Sequence, residues 1–170
     1  MQTQSSAYRD ANRVPILTEG LITKKTITFA GATTDAWGDD GGALDDAAIF
    51  TVTGLVFARV IAVCTTSLTE AGGTATIEVG ITGDTAIFMP TETATQIDAG
   101  QIWLNDAANA TYALVGGEEE AAADNMPKYA LNGNDIILTV KTANVATGVL
   151  DFYCMWSPIS SNAAVDDSGN

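Results

Sequence analysis

The chain has 170 residues, enough for one folded domain, and 46% of them are hydrophobic, which excludes a disordered chain. Seven basic residues stand against 21 acidic ones, a net charge of −14, and such a surface repels nucleic acid and anionic membranes. Histidine is absent, which removes Ser-His-Asp and Cys-His catalysis, the commonest metal ligand and the usual pH switch.

The charge is unevenly placed. Residues 1–25 hold four basic residues against Asp10 and Glu19, whereas residues 26–170 hold three against nineteen acids. That asymmetry suggests a leading segment with a different partner from the body. The opening MQTQSSAYRDANR lacks the apolar core of a signal peptide, and no apolar run approaches the roughly 20 residues of a membrane span. The expectation is a protein assembled in a cytoplasm.

Residues 1–12 are polar and aperiodic, and Arg13-Val14-Pro15-Ile16-Leu17 follows, with proline holding its predecessor extended. An extended N-terminal arm is expected over 1–22, and its Val14, Ile16 and Leu17 need cover. Lys24–Phe29 alternates, with Ile27 and Phe29 inward. A Gly- and Asp-rich surface loop containing Trp37 comes next. Ala48–Thr53 and Leu55–Thr65 form the next pair of strands, with Gly54 allowing a bend or bulge. The second of these is apolar on both faces apart from Arg59, as in a strand lying between packed layers or at a subunit contact.

Thr74–Thr82 alternates with Ala75, Ile77, Val79 and Ile81 inward, Gly83-Asp84 signals a turn, and Ala86–Met89 returns until Pro90 ends the run. Thr95–Leu104 reads as a strand pair or a bent strand broken at Gly100. Thr111–Val115 is a further strand, and Gly116–Ala123 a loop or short helix. Asp135–Trp156 reads as two strands joined by a polar turn, the hairpin around which the rest is built. Residues 162–170 read as a polar tail. About ten short strands and no convincing helix predict an all-β antiparallel sandwich, jelly-roll or Greek-key-like, over 23–161.

The sequence offers little chemistry. Cys64 and Cys154 sit in apolar strands and read as buried thiols, a cross-strand disulfide being the alternative. Asp35, Asp39, Asp40, Asp45 and Asp46 crowd a Gly-rich loop where Ca²⁺ is conceivable, although the spacing departs from an EF-hand. Asp98 or Asp106 near Trp103 is an example of the paired carboxylates that glycoside hydrolysis needs, and Trp37 and Trp103 are candidate sugar platforms. The plainer reading of both tryptophans is edge packing or a subunit contact. No cofactor is expected, and no enzymatic activity.

At Tyr8-Arg9-Asp10-Ala11-Asn12-Arg13-Val14-Pro15 the sequence resembles the opening of small structural proteins of tailed bacteriophages. With Thr34–Asp39, Arg59–Thr65, Gly133–Ile137 and Phe152–Trp156, the chain looks like a capsid decoration (cement) protein. That resemblance implies a homotrimer on the capsid exterior that bridges subunits of the major capsid protein. The implied anchoring arm comprises Arg9, Arg13, Val14, Pro15, Ile16, Leu17, Lys24 and Lys25. Trp37, Arg59 and Trp103 are the candidate subunit contacts on the reading of the residues themselves. Other virion roles (head fibre base, tail or baseplate component, receptor- or carbohydrate-binding protein) are the alternative.

Overall fold

The computed structural model describes residues 20–104 and 128–169, together with the backbone of 111–113. The expected positions Arg9, Arg13, Val14, Pro15, Ile16 and Leu17 lie outside the described residues, as does the segment Gly116–Ala123.

Alternating apolar residues generate eleven strands among the described residues. They are β1 (Leu21–Phe29), β2 (Ala47–Thr53), β3 (Leu55–Ala71), β4 (Thr76–Ile81), β5 (Asp84–Thr93) and β6 (Gln101–Trp103). β7 (Thr111–Ala113), β8 (Tyr129–Asn132), β9 (Ile136–Lys141), β10 (Asn144–Pro158) and β11 (Ala164–Asp167) complete the set. A six-stranded sheet runs β1-β10-β3-β6-β7, with β8 also paired to β3, and a five-stranded sheet runs β11-β2-β9-β4-β5. All pairings are antiparallel, and the architecture is the expected all-β sandwich.

The core lies between the two sheets. Ile27, Val56, Ala58, Ala62, Trp103, Leu150, Phe152 and Cys154 project from the six-stranded sheet, facing Phe50, Ile77, Val79, Ile136 and Leu138 of the other. Burying two apolar sheet faces against each other is the main source of stability in such a fold.

The segment expected to be a hairpin folds differently. β9 and β10 are both strands with the predicted inward faces, but they belong to opposite sheets. β9 lies between β2 and β4, and β10 between β1 and β3. Thr142, with φ +70°, and the buried Ala143 form an arch that carries the chain from one layer to the other.

The backbone of β10 just past the arch has other partners. Val145 N–H donates to Gly38 O at 2.8 Å, and Gly31 N–H donates to Val145 O at 3.0 Å. Asn144 donates from Nδ2 to Gly31 O at 2.6 Å and accepts at Oδ1 from Asp40 N–H at 3.0 Å. The 30–46 loop therefore occupies hydrogen-bonding groups that a β9–β10 hairpin would need. Gly54 works in the same way: at φ +67° it joins β2 to β3, which sit in different sheets rather than pairing.

Three further expectations are corrected. β5 continues through Pro90 because it is an edge strand, where a missing N–H leaves no ladder bond unmade. Residues 164–167 form β11 on the edge of the five-stranded sheet, within the stretch expected to be a tail. The 94–104 region contributes a 3₁₀ turn, Ala94–Gln96, and β6.

The cysteines are free and buried. Cys64 lies opposite Leu150 and Cys154 opposite Val60, so four residue steps, roughly 13 Å, separate them along adjacent strands. A disulfide cannot span that distance. Burial pushes the Cys154 thiol up to about 12, and it raises Cys64 as well.

Two predictions follow from this packing. A Cβ on Gly38 would sit 2.4 Å from Val145 O, and its φ of +98° already disfavours other residues. Gly38→Ala should cost about 2–4 kcal/mol in urea unfolding. Gly41→Ala, with φ +75° but open space around it, should cost only about 1 kcal/mol. Both thiols should resist a maleimide or disulfide reagent in the native protein and react only on unfolding; fast labelling of Cys154 in native buffer would contradict its burial.

Candidate functional site

Side chains alternate across β3 and β10, so the residues not facing the core form the outer face of the six-stranded sheet. The register aligns them in rows. Ile22 lies opposite Met155, which lies opposite Arg59. Lys24, Tyr153 and Ile61 form the next row, and Thr26, Asp151, Val63 and Ile102 the one after. Ser157 and Phe57 make a further row beyond Arg59.

Apolar side chains dominate this face. Phe57, Ile61, Val63, Ile102, Tyr153 and Met155 are each half-buried, while Ile22 is 66% exposed. The second exposed large hydrophobic, Ile159 at 40%, follows β10 at the same end of the sheet. Among the described residues, the charged ones here are Lys24, Arg59, Lys128 and Asp151. Lys24 Nζ sits 2.7 Å from Asp151 Oδ2 and 5.5 Å from the Tyr153 ring centroid. Lys128 Nζ lies 5.4 Å from the Phe57 ring.

The Lys24–Asp151 contact shifts both groups toward their charged forms. The hydrogen bond with Asp151 raises Lys24, against a smaller opposing effect of burial. Burial pushes Asp151 up, but the hydrogen bonds from Lys24 and Thr26 outweigh it and leave its carboxyl below the ordinary value.

The outer face of the five-stranded sheet has the opposite character. Glu78 points away from the core yet is only 2% exposed, because Thr85, Thr91 and Lys141 converge on its carboxylate. Next to it Thr139 donates to Asp46 Oδ1 at 2.5 Å. Burial drives the Glu78 carboxyl upward, and the three hydrogen bonds with the Lys141 charge more than offset it, so the group lies below its ordinary 4.5. This face carries a polar network centred on the Glu78 carboxylate.

The acidic loop is likewise committed to the fold. Asp35 Oδ1 accepts from Ala43 N–H, Asp39 Oδ2 from Asp35 N–H, and Asp45 Oδ2 from Gly41 N–H, each within 3.0 Å. Asp45 Oδ1 also accepts from Val140 N–H at 2.8 Å, tying the loop to β9. Among the described residues, no group of three or more His, Cys, Asp or Glu side chains is placed to hold a metal ion.

The expected site residues are dispersed by the fold. Lys24 and Lys25 belong to β1, inside the sandwich and not in the arm; Lys25 faces inward at 9% exposure, while Lys24 bridges to Asp151. Trp103 is fully buried opposite Ala62, and Trp37 is a core residue whose carbonyl accepts from Ala30 N–H at 2.8 Å. Neither indole is a surface platform, and neither is available for a subunit contact. Burial of Trp103 also removes the sugar-stacking partner imagined for Asp98, and Asp106 lies outside the described residues. Arg59 alone of that trio sits on the outer face.

Sequence reasoning overlooked Met155, Tyr153 and Glu78. The two-sided apolarity of β3 was the available signal for the first two, since an outward Ile61 and Val63 require apolar neighbours on β10. Glu78 carried none, because an isolated Glu in an alternating strand reads as solvent-facing.

Compared with models of known protein families, with curated proteins and with solved structures, the chain matches none.

The two ion pairs set a pH window. Glu78 and Asp151 are depressed, so their contribution is complete above the ordinary carboxylate range and is lost as pH falls through their lower folded values. Lys24 is raised, so its part persists below 10.5 and is lost as pH rises through its higher folded value. Glu78→Gln should lower stability at pH 7 by about 1–3 kcal/mol and flatten the acid limb of urea midpoints measured from pH 7 to pH 3. An unchanged acid limb would show that Glu78 is not the group responsible.

Proposed function

We propose that this chain is a non-enzymatic assembly protein, and specifically a decoration protein that binds the outside of a phage capsid and bridges major capsid protein subunits. The observation that supports an assembly role is the outer face of the six-stranded sheet. A contiguous set of Ile22, Phe57, Ile61, Val63, Tyr153 and Met155 is the kind of apolar surface that a protein partner covers. The described polar clusters are taken up in holding the fold, which leaves this face as the feature without an internal role. The choice of a capsid as the partner comes from the resemblance in Tyr8–Pro15 and the body motifs.

In this reading Arg9 and Arg13 supply the charge and Val14, Pro15, Ile16 and Leu17 the apolar anchors of the arm. The arm adds main-chain pairing to a strand edge on the shell, the acidic body faces solvent, and many copies make modest single contacts sufficient.

A chain lacking residues 1–19 should keep its far-ultraviolet spectrum and unfold cooperatively, yet no longer co-sediment with capsids. Cryo-microscopy of intact particles should find the protein spread over the shell in many copies. A few copies confined to one vertex or the tail would replace this reading with another virion role.

A further inference from the structure

One dipeptide of the chain carries chemistry of its own. Asn132-Gly133 is the single Asn-Gly pair in the sequence, and Asp40-Gly41 the single Asp-Gly pair. Glycine has no Cβ, so its amide nitrogen can close on the side-chain carbonyl of the residue before it with little obstruction. Attack of Gly133 N on Asn132 Cγ forms the C–N bond of a succinimide ring. The Asn132 side-chain nitrogen takes up the proton from Gly133 N and leaves as ammonia. Water then opens the ring at either carbonyl, giving aspartate or isoaspartate, so an amide and water become an acid and ammonia.

Asn132 and Gly133 are both exposed at the end of β8, so water reaches the site. The nucleophile, however, is engaged: Gly133 N–H donates to Gly54 O at 3.0 Å. A nitrogen whose hydrogen is held by Gly54 cannot turn onto Cγ until that bond opens. Gly54 is the crossing from β2 to β3, and this bond is one of a set that clamps it. Val52 N–H donates to Asp135 Oδ1 at 2.8 Å, Leu55 N–H donates to Ser160 Oγ at 2.9 Å, and Leu55 O accepts from Ile159 N–H at 2.9 Å. Asn132 itself pairs with Leu55. Neighbouring bonds restore the Gly133 contact when it breaks alone, so ring closure needs the 132–135 segment to lift from the crossing as a unit. Asp40-Gly41 is held in the same manner, with Gly41 N–H donating to Asp45 Oδ2 at 3.0 Å.

We infer that Asn132 is a self-modification site, deamidated at a rate set by opening of the β2–β3 crossing. The isoaspartyl product carries one extra main-chain carbon between the residue paired with Leu55 and the amide held by Gly54. It cannot keep both contacts, so the reaction fixes the crossing in a loosened form. Conversion is an irreversible record of opening, and the modified fraction grows with the age of the folded chain. None of this depends on what the outer face of the six-stranded sheet binds.

The test incubates the full chain in mildly alkaline buffer, both folded and in urea, and follows each asparagine by peptide mass mapping. Hydrogen exchange at the Gly133 amide is measured in the same native buffer. In urea Asn132 should convert first among the asparagines. In the folded chain it should convert about tenfold more slowly or slower still, and the slowing should match the exchange protection of Gly133 within about threefold. Ser160→Ala removes the Oγ that holds Leu55 N–H; it should raise the native rate severalfold and leave the urea rate unchanged. Equal rates in folded and unfolded chains overturn the gate, as does slow conversion beside unprotected exchange or a native rate indifferent to Ser160→Ala. If that variant does not fold, the match between conversion and exchange in the unaltered chain decides alone. Another asparagine converting first in urea overturns the site. The isolated isoaspartyl protein should unfold at a lower urea concentration than the unmodified chain, and equal midpoints overturn the loosened product.

Discussion

The fold depends on how the chain gets from β9 to β10. Two residues, Thr142 and Ala143, separate strands that lie in different layers, so a connection short enough for a hairpin carries the chain from one half of the sandwich to the other, as Gly54 does between β2 and β3. A short link between two amphipathic strands would ordinarily close a hairpin. Here the 30–46 loop prevents it by taking the backbone of Val145 and the side chain of Asn144 for itself. The same loop reaches the other layer through Asp45 and Asp46, which accept from Val140 N–H and Thr139 Oγ1 on β9. It therefore grips both sides of the arch. Five aspartates in twelve positions look like a repulsive liability, yet each backbone amide they accept from offsets part of that repulsion and removes an unsatisfied donor.

Much of this was legible in the residues, and the illegible part has a physical cause. The alternation of Ile27 and Phe29, of Ile77 and Val79, and of Leu150, Phe152 and Cys154 gave strands and inward faces that the structure reproduces. Alternation reports which side of a strand is apolar. It contains nothing about which strand lies alongside, because an arch and a hairpin bury the same residues. Partner choice is decided by hydrogen bonds from distant positions, such as Gly31 and Gly38 to Val145, that local pattern does not encode. Pro90 misled for a related reason: its cost depends on whether the strand is at an edge, a property of the assembled sheet. Trp37 shows the reverse error. Its Gly- and Asp-rich surroundings suggested an exposed loop, whereas successive turns fold that loop back so that the indole completes the core.

The two outer faces show where function can reside. On the five-stranded sheet, Glu78 gathers Thr85, Thr91 and Lys141 into one network around its carboxylate. On the six-stranded sheet the outward positions are filled by side chains that gain from leaving water. A strongly acidic molecule resists the approach of any other acidic polypeptide, its own copies included. The two outer faces therefore differ in kind, one knit together by polar contacts and the other largely apolar.

An apolar outer face carries a structural penalty that the rest of β3 has to answer. A strand with one polar face has its register fixed, since slipping by one residue would bury the polar set. β3 has no such protection from Leu55 to Cys64, where apart from Arg59 either face would serve as core. The pins lie farther along and on its neighbours. Thr69 and Thr147 share a hydrogen bond at 2.7 Å, and Thr65 Oγ1 donates to Val149 O at 3.3 Å. Between these, the pairing shifts register around Gly148, where an added Cβ would lie 2.4 Å from Leu68 Cδ2. A one-residue slip would drive Leu68 out of that gap, place Arg59 in the core and break the Thr69–Thr147 bond together. The polar, irregular half of β3 thus fixes the alignment that leaves its apolar half free to face outward.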